Sequence, residues 1–185
     1  MSIGFRTPDI EDLGLAGYLR IMPGPDSSTY DGVLFVVNGA GEPIEFCFST
    51  IDMPRTILWG KAALLRRVAA ELTKALMSAC TSAPAILFAL AHEVGPGTFG
   101  QDVVTPLPTC RIAARLDAVA LGVADQEENV QEDEDVQLIW SGDAPAPDAA
   151  VRRLLARLAG AGILLEPFER AVAGLSEVRR NEVNS

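Results

Sequence analysis

The segment Tyr30–Val94 constrains the fold of this chain more than any other part of the sequence. It holds two apolar runs on either side of a glycine-rich turn, then a long amphipathic stretch, then a third apolar run. Short continuous apolar runs are typical of buried strands, whereas apolar residues spaced three and four apart are typical of a helix. The order strand, strand, helix, strand predicts an α+β fold, with α/β as the alternative.

The first two runs predict a β-hairpin. Val33–Val37 is uninterrupted and rich in β-branched residues, which suits a strand buried on both faces. Asn38–Glu42 supplies residues that tolerate positive φ, as a tight turn requires. The return strand alternates, so that Ile44, Phe46 and Phe48 are predicted to face one side.

The rest of the segment predicts a helix that crosses over to a central strand. Apolar residues from Thr56 to Cys80 recur at helical spacing, and the stripe they form needs a sheet to cover it. Ala85–Ala91 is short and continuously apolar, which favours a central strand parallel to one hairpin strand. Pro54 and Pro84 mark the boundaries of the helix. We therefore predict a mixed sheet with a hairpin, a crossover helix and a central strand.

The remaining sequence divides into a core domain, residues 1–142, and a helical tail, residues 143–185. Alternating or apolar stretches predict strands at Cys110–Leu116 and Val136–Trp140. Gly142–Pro147 resembles a linker, and two leucine-bearing amphipathic segments follow it. The tail is thus predicted to be a helix pair that packs on the core or on a partner.

The charge of the chain is concentrated in one segment. The net charge is −10, and seven acidic residues without a basic one lie between Asp125 and Asp135, which leaves −3 for the rest. Like charges repel each other, so residues 123–136 are predicted to form a solvated loop between two strands. The body is only mildly acidic, and nucleic acid is expected to bind only through a partner or a local basic face.

Several features predict a cytoplasmic protein that does not enter a membrane. The N-terminus has no apolar stretch typical of a signal peptide. The longest apolar runs, such as Ala85–Ala91, are far shorter than the roughly 20 residues of a membrane helix. Cys47, Cys80 and Cys110 are widely spaced and form no Cys-x-x-Cys pair, which indicates buried reduced thiols.

The common catalytic motifs are missing from the sequence. The single histidine, His92, follows the predicted central strand, and no Gly-x-Ser-x-Gly elbow or phosphate-binding Gly-x-x-x-x-Gly-Lys motif is present. A metal site built from several histidines is excluded. The glycines of Gly95–Gly100 are predicted to form a flexible loop. The chain is therefore predicted to use no cofactor.

The order of hairpin, helix and strand resembles the first half of the RNase H-like fold. Enzymes of that fold hold two metal ions with acids on the first strand, the first helix and the end of the fourth strand. The resemblance implies Asp31, Glu71 and Glu93 as those acids and Mg²⁺ as the cofactor. Asp31 precedes its predicted strand, Arg67 could pair with Glu71, and a third antiparallel strand would have to come from Tyr18–Met22. Profilin-like and roadblock-like modules fit the pattern equally well.

We therefore predict a non-catalytic accessory or interaction subunit of a bacterial multi-protein assembly, which binds a protein partner or a second copy of itself. The alternative is an RNase H-like metal-dependent nuclease, or a degenerate relative of one in a nucleic-acid-processing complex. The predicted partner-binding residues lie in the tail, where three arginines face outward and two apolar residues could dock: Arg152, Arg153, Arg157, Leu164 and Phe168.

Overall fold

A mixed eight-stranded sheet runs through the middle of the molecule. The computed structural model describes residues 1–4, 13–26, 28–53, 60–114, 129–133 and 136–183. Its strands are β1 (Ser2–Gly4), β2 (Ala16–Pro23), β3 (Thr29–Val37), β4 (Pro43–Asp52), β5 (Ile86–Leu90), β6 (Thr109–Ala114), β7 (Asn129–Asp133) and β8 (Val136–Trp140). Their order across the sheet is β1-β4-β3-β2-β5-β6-β8-β7.

Helices cover both faces of this sheet. They are α1 (Lys61–Ala79), α2 (Ala150–Gly160) and α3 (Glu166–Val183). Buried residues of α1 form one core with one face, and buried residues of α2 and α3 form a second core with the other face. The predicted mixed sheet with helices is thereby confirmed. In the part of the chain that the structure describes, none of the helices combines the length and apolar character needed to span a membrane.

The strand β2 lies at the centre of the sheet. It pairs antiparallel with β3 from Ala16↔Val37 to Pro23↔Tyr30, and parallel with β5 from Ala16↔Ile86 to Leu19↔Ala89. The segment Tyr18–Met22 therefore supplies the third antiparallel strand that the RNase H-like resemblance requires. The strand β5 runs parallel to β4 as well, but β3 and β2 lie between them.

The turn between β3 and β4 is closed by one side chain and one glycine. The Asn38 Oδ1 atom accepts hydrogen bonds from the backbone N–H groups of Ala40 and Glu42, at 2.9 and 3.0 Å. Gly41 has a φ of 78°, a conformation that glycine adopts without strain. Its carbonyl oxygen accepts a hydrogen bond from Arg170 Nη2 at 2.5 Å, which joins the turn to α3.

A β-bulge next to this turn corrects one sequence prediction. Val36 pairs with Glu45 and Val37 with Pro43, so Ile44 has no residue opposite it. The extra residue shifts the alternation of the strand. Phe46 consequently belongs to the core under α2 and α3, whereas Ile44 belongs to the core under α1. The prediction that both share one face is wrong because the sequence does not reveal the bulge.

The acidic segment also differs from its prediction in part. Asn129–Asp133 forms the edge strand β7, which pairs antiparallel with β8 from Asn129↔Trp140 to Asp133↔Val136. Residues 115–128, 134 and 135 lie outside the described part. A strand of this composition is suited to an edge, because charged residues there discourage pairing with another chain. Backbone pairing with β8 thus outweighs the charge repulsion that predicted a loop throughout.

The segment after β5 is packed against α1. Thr98–Asp102 forms an irregular helical turn in which Thr98 and Phe99 are buried. Asp102 accepts a hydrogen bond from Arg66 of α1 at 2.9 Å. The predicted flexible loop at Gly95–Gly100 is therefore partly a packed turn.

Close packing between β3 and α1 predicts that Gly32→Ala destabilises the fold. A Cβ atom at this position would lie 2.9 Å from Leu76 Cδ1 and 3.1 Å from Leu72 Cβ, so α1 would have to shift. We expect a loss of about 1–3 kcal/mol in the free energy of unfolding, measured by urea denaturation. Gly160→Ala is the control, since a Cβ there meets nothing within 4 Å. Equal stability of the two variants would contradict the packing described.

Candidate functional site

The carboxyl ends of the parallel strands β2 and β5 form the most plausible place for a functional site. Ligands of α/β sheets commonly bind outside the carboxyl ends of parallel strands. Glu93 lies three residues after β5, and Arg20 lies near the end of the neighbouring β2. This end of the sheet is also where the RNase H-like resemblance places one of its carboxylates.

Arg20 and Glu93 form a largely buried ion pair. Arg20 Nε lies 2.8 Å from Glu93 Oε1 and 3.0 Å from Oε2, and Nη2 lies 2.6 Å from Oε1. The exposed fractions of the two side chains are 15% and 8%. The backbone N–H of Ile21 donates to Oε2 at 2.9 Å, and Arg20 Nη1 donates to the Phe168 carbonyl of α3 at 3.1 Å. Both carboxylate oxygens of Glu93 therefore already accept hydrogen bonds.

His92 does not join this network as a buried group. Its side chain is 57% exposed, and Nε2 lies 3.8 Å from Glu93 Oε1. That separation exceeds hydrogen-bond distance. The histidine that follows the central strand is thus a mostly solvent-facing side chain.

The sequence placed Asp31 before its predicted strand. In the structure Asp31 lies within β3. It is 1% exposed, and its Oδ1 accepts a hydrogen bond from Thr50 Oγ1 at 2.7 Å. Its Oδ2 forms an ion pair with Arg179 of α3. The resemblance requires an acid on the first antiparallel strand, but β2, the strand in that place, carries Arg20 and no carboxylate.

Glu71 lies on the opposite side of the sheet from the other two candidates. It projects from α1, is 45% exposed, and pairs with Arg67 at 2.8 Å. Asp31 contacts α3, and the Arg20–Glu93 pair also contacts α3. Because α1 and α3 cover different faces, the sheet separates Glu71 from Asp31 and Glu93. Each of the three acids is paired with a different arginine.

An open cavity of about 440 Å³ lies beside α1. Its charged lining residues are Arg66, Arg67, Glu71, Lys74 and Asp102. Two ion pairs, Arg66–Asp102 and Arg67–Glu71, already bring opposite charges together there. The lining of the cavity therefore carries both positive and negative charges.

The predicted partner-binding residues divide into two groups. Arg152 lies over the Trp140 ring at 5.8 Å from its centroid, and Arg153 Nη1 donates to the Asp148 carbonyl at 3.1 Å. Arg157 is in the last turn of α2, where its charge suits the helix dipole.

The two apolar candidates, Leu164 and Phe168, are only 7% and 2% exposed. Both belong to the core between the sheet and the helices. Phe168 packs edge-on against Tyr18 with ring centroids 5.0 Å apart. Their contact with a partner stays a prediction, and it would require the tail to leave the sheet.

A cluster of side chains that could ligate a metal lies at the end of α1, and the sequence did not predict it. One donor atom from each of Glu45, Cys47 and Cys80 lies within 4.8 Å of the other two. This is the one such group of three among the described residues. The available signal was the Glu-x-Cys spacing on β4, which places two side chains on one face of a strand. The third member comes 33 residues after Cys47 in the sequence and meets the strand only through the fold.

The Glu45 carboxylate of this cluster accepts several hydrogen bonds from neutral groups. The backbone N–H of Thr81 donates at 3.0 Å and that of Ser82 at 2.6 Å, and Ser2 Oγ also donates. Burial by itself would raise the pKa of Glu45, but the hydrogen bonds from Ser2, Thr81 and Ser82 together hold it well below its usual range. Burial raises the pKa of both the Cys47 and the Cys80 thiol.

Comparison with known proteins shows a similarity in fold. No protein-family model matches the chain, and no curated protein matches it. Among solved structures, endonuclease V from Streptomyces avermitilis is similar, with a TM-score of 0.59 and 9% sequence identity. The similarity covers 90% of this chain and 83% of the endonuclease V chain. At this level of identity the likeness shows the fold alone.

Because the Arg20–Glu93 pair is buried, we expect Arg20→Ala to lower the stability of the fold strongly. The substitution leaves a carboxylate that is 8% exposed without its cation, which should lower the free energy of unfolding by about 3 kcal/mol. Arg67→Ala is the matched control, since it breaks an exposed i,i+4 pair worth about 0.3–0.5 kcal/mol. Urea denaturation measures both. Similar losses in the two variants would show that the buried pair does not hold the strand ends together.

Proposed function

We propose that this chain has a nuclease-type fold but no catalytic activity. It acts as an accessory subunit that binds other members of a protein assembly. The observation that carries the proposal is the Arg20–Glu93 pair. It sets an arginine, not a second carboxylate, beside the acid at the carboxyl end of the parallel strands. The proposal keeps the predicted accessory role and adds the fold relationship to it.

The requirements of two-metal hydrolysis support this proposal. Two cations about 4 Å apart need several carboxylate oxygens that converge and remain available as ligands. Glu93 is bound by Arg20, Asp31 by Arg179 and Thr50, and Glu71 lies across the sheet. A cation at Glu93 would first have to displace a guanidinium group that also binds α3.

A second candidate function is metal-dependent cleavage of nucleic acid. It is favoured by one observation, the similarity in fold to a protein that is itself an endonuclease. Under this alternative, Mg²⁺ would be the cofactor, and Glu93 and Asp31 lie on the same side of the sheet. The accessory proposal can also hold in a nucleic-acid-processing complex, with the nucleic acid bound by the partner.

The surface of the described residues favours a polar contact with the partner. The large apolar residues exposed there are few: Met1 and Ile3 at the edge strand β1, and Val104 and Leu165 elsewhere in the chain. Single exposed apolar residues are ordinary and do not indicate a docking patch. Charge is the stronger recognition feature, because seven acidic residues lie between Asp125 and Asp135. A basic surface on the partner protein would complement this segment.

A cleavage assay separates the two functions. The purified protein is incubated with single- and double-stranded DNA and RNA, with Mg²⁺ or Mn²⁺ and with a chelator. We expect no metal-dependent cleavage, because the three candidate carboxylates do not converge. Cleavage that requires the metal, is lost in Glu93→Gln, and persists in the exposed control Glu177→Gln would overturn the non-catalytic proposal.

The binding role predicts a salt-sensitive partner that depends on the acidic segment. A variant with Glu127, Glu128, Glu132 and Glu134 changed to glutamine should fold like the wild type, as judged by circular dichroism. We expect it to lose a protein that co-purifies with the wild type from the native host at low salt. The matched control changes Glu169 and Glu177 of α3 to glutamine. A strictly monomeric wild type with no co-purifying protein would count against the proposal.

A further inference from the structure

We propose that Glu45, Cys47 and Cys80 form a binding site for a thiophilic divalent cation such as Zn²⁺. This site is independent of the accessory function and lies on the α1 side of the sheet. The three donor atoms come from two elements, β4 and the residue that follows α1. Thiolates and carboxylates are ligands that Zn²⁺ prefers in proteins.

Two distances between donor atoms are close to those of a tetrahedral site, one from each sulfur to a different oxygen of Glu45. With Zn–S bonds of about 2.3 Å and Zn–O bonds of about 2.0 Å, tetrahedral angles put sulfur and oxygen about 3.5 Å apart. The Cys47 Sγ atom lies 3.6 Å from Glu45 Oε1, and the Cys80 Sγ atom lies 3.4 Å from Glu45 Oε2. The same distances allow thiol protons to bridge to the carboxylate, so the donors are held at ligand spacing by weak hydrogen bonds.

Charge is the second argument for a cation. Three carboxylates in the described residues are largely buried: Asp31, Glu45 and Glu93. Asp31 pairs with Arg179 and Glu93 with Arg20, whereas the described contacts of Glu45 come from neutral hydroxyl, thiol and backbone N–H groups. A buried charge is costly unless it is paired or bound to a metal. A divalent cation between the carboxylate and the two sulfurs would supply the opposite charge.

Neighbouring groups hold the carboxylate in a fixed orientation. Thr81 donates from its backbone N–H and its hydroxyl, both at 3.0 Å to Oε1, and Ser82 N–H donates at 2.6 Å to Oε2. Hydrogen bonds of this kind orient metal-binding carboxylates and raise the affinity of metal sites. Together with Ser2 Oγ, these donors take up the roughly four lone-pair sites of the carboxylate, so a cation would bind an oxygen in place of a hydroxyl donor.

Access and coordination number are also compatible with a cation. Cys47 is buried, but Cys80 is partly exposed and Thr81 is exposed, so solvent reaches one side of the cluster. A water molecule from that side can complete four ligands. On binding, each thiol gives its proton to solvent and its sulfur donates an electron pair to the cation, without any change of oxidation state. The bound cation would fasten the end of α1 to β4 and, through Ser2, to β1.

Cobalt spectroscopy tests the proposal, because Co²⁺ bound by thiolates absorbs in the near ultraviolet. The untagged, reduced, metal-stripped full chain is titrated with Co²⁺ and then with Zn²⁺ as a competitor. We expect a sulfur-to-cobalt band that saturates at one equivalent and disappears on addition of Zn²⁺. Cys80→Ser should weaken Co²⁺ binding by more than about tenfold and reduce the band per bound ion.

Cys110→Ser is the matched control, since Cys110 lies in the core on the other face of the sheet. It should retain the full band. Cys47 and Cys110 are both completely buried, and serine in either place could destabilise the fold, so a thermal-shift measurement accompanies the titration. Zn²⁺ should raise the melting temperature of the wild type and of Cys110→Ser, but not that of Cys80→Ser. A folded wild type without a sulfur-to-cobalt band, or a band that persists unchanged in Cys80→Ser, overturns the proposal.

Discussion

The buried pair between Arg20 and Glu93 connects the three parts on which the structure depends. Arg20 belongs to the central strand β2, Glu93 follows β5, and the same guanidinium binds the Phe168 carbonyl at the start of α3. The sequence separations are 73 and 148 residues. One side chain thus contacts both the end of the neighbouring parallel strand and the start of the C-terminal helix. A ligand that displaced the Arg20 guanidinium from Glu93 would break these structural contacts.

The buried carboxylates of this chain differ in the groups that stabilise their charge. A carboxylate removed from water needs a compensating charge or several hydrogen bonds, since an isolated charge in the interior is strongly unfavourable. Asp31 and Glu93 obtain a guanidinium, and both guanidinium groups also connect a strand with α3. Glu45 obtains hydrogen bonds from the residues that follow α1. The buried acids on the two faces of the sheet are therefore stabilised by different means.

Local patterns predicted the elements whose own apolar spacing is distinctive. The apolar runs and the helical spacing identified β3, β4, α1 and β5, and the turn residues identified the hairpin. What they could not predict depends on how the strands pair with each other. The bulge at Ile44 is set by pairing with β3, and the edge strand β7 is set by pairing with β8. The Arg20–Glu93 pair was the least predictable feature. In the sequence Arg20 is an ordinary strand residue, and only the fold places Glu93 and the Phe168 carbonyl beside it.

The cost of displacement distinguishes the two places where a cation could bind. At Glu93 a metal ion competes with Arg20, and breaking a buried pair costs about 3–5 kcal/mol before any metal–ligand bond forms. That cost would also loosen α3, whose Phe168 carbonyl shares the guanidinium. At Glu45 the described partners are neutral, and a cation would have to displace the thiol protons of Cys47 and Cys80 and a hydroxyl donor, but no charged group. The smaller cost of displacement therefore favours the proposed cation site beside α1 over the strand ends.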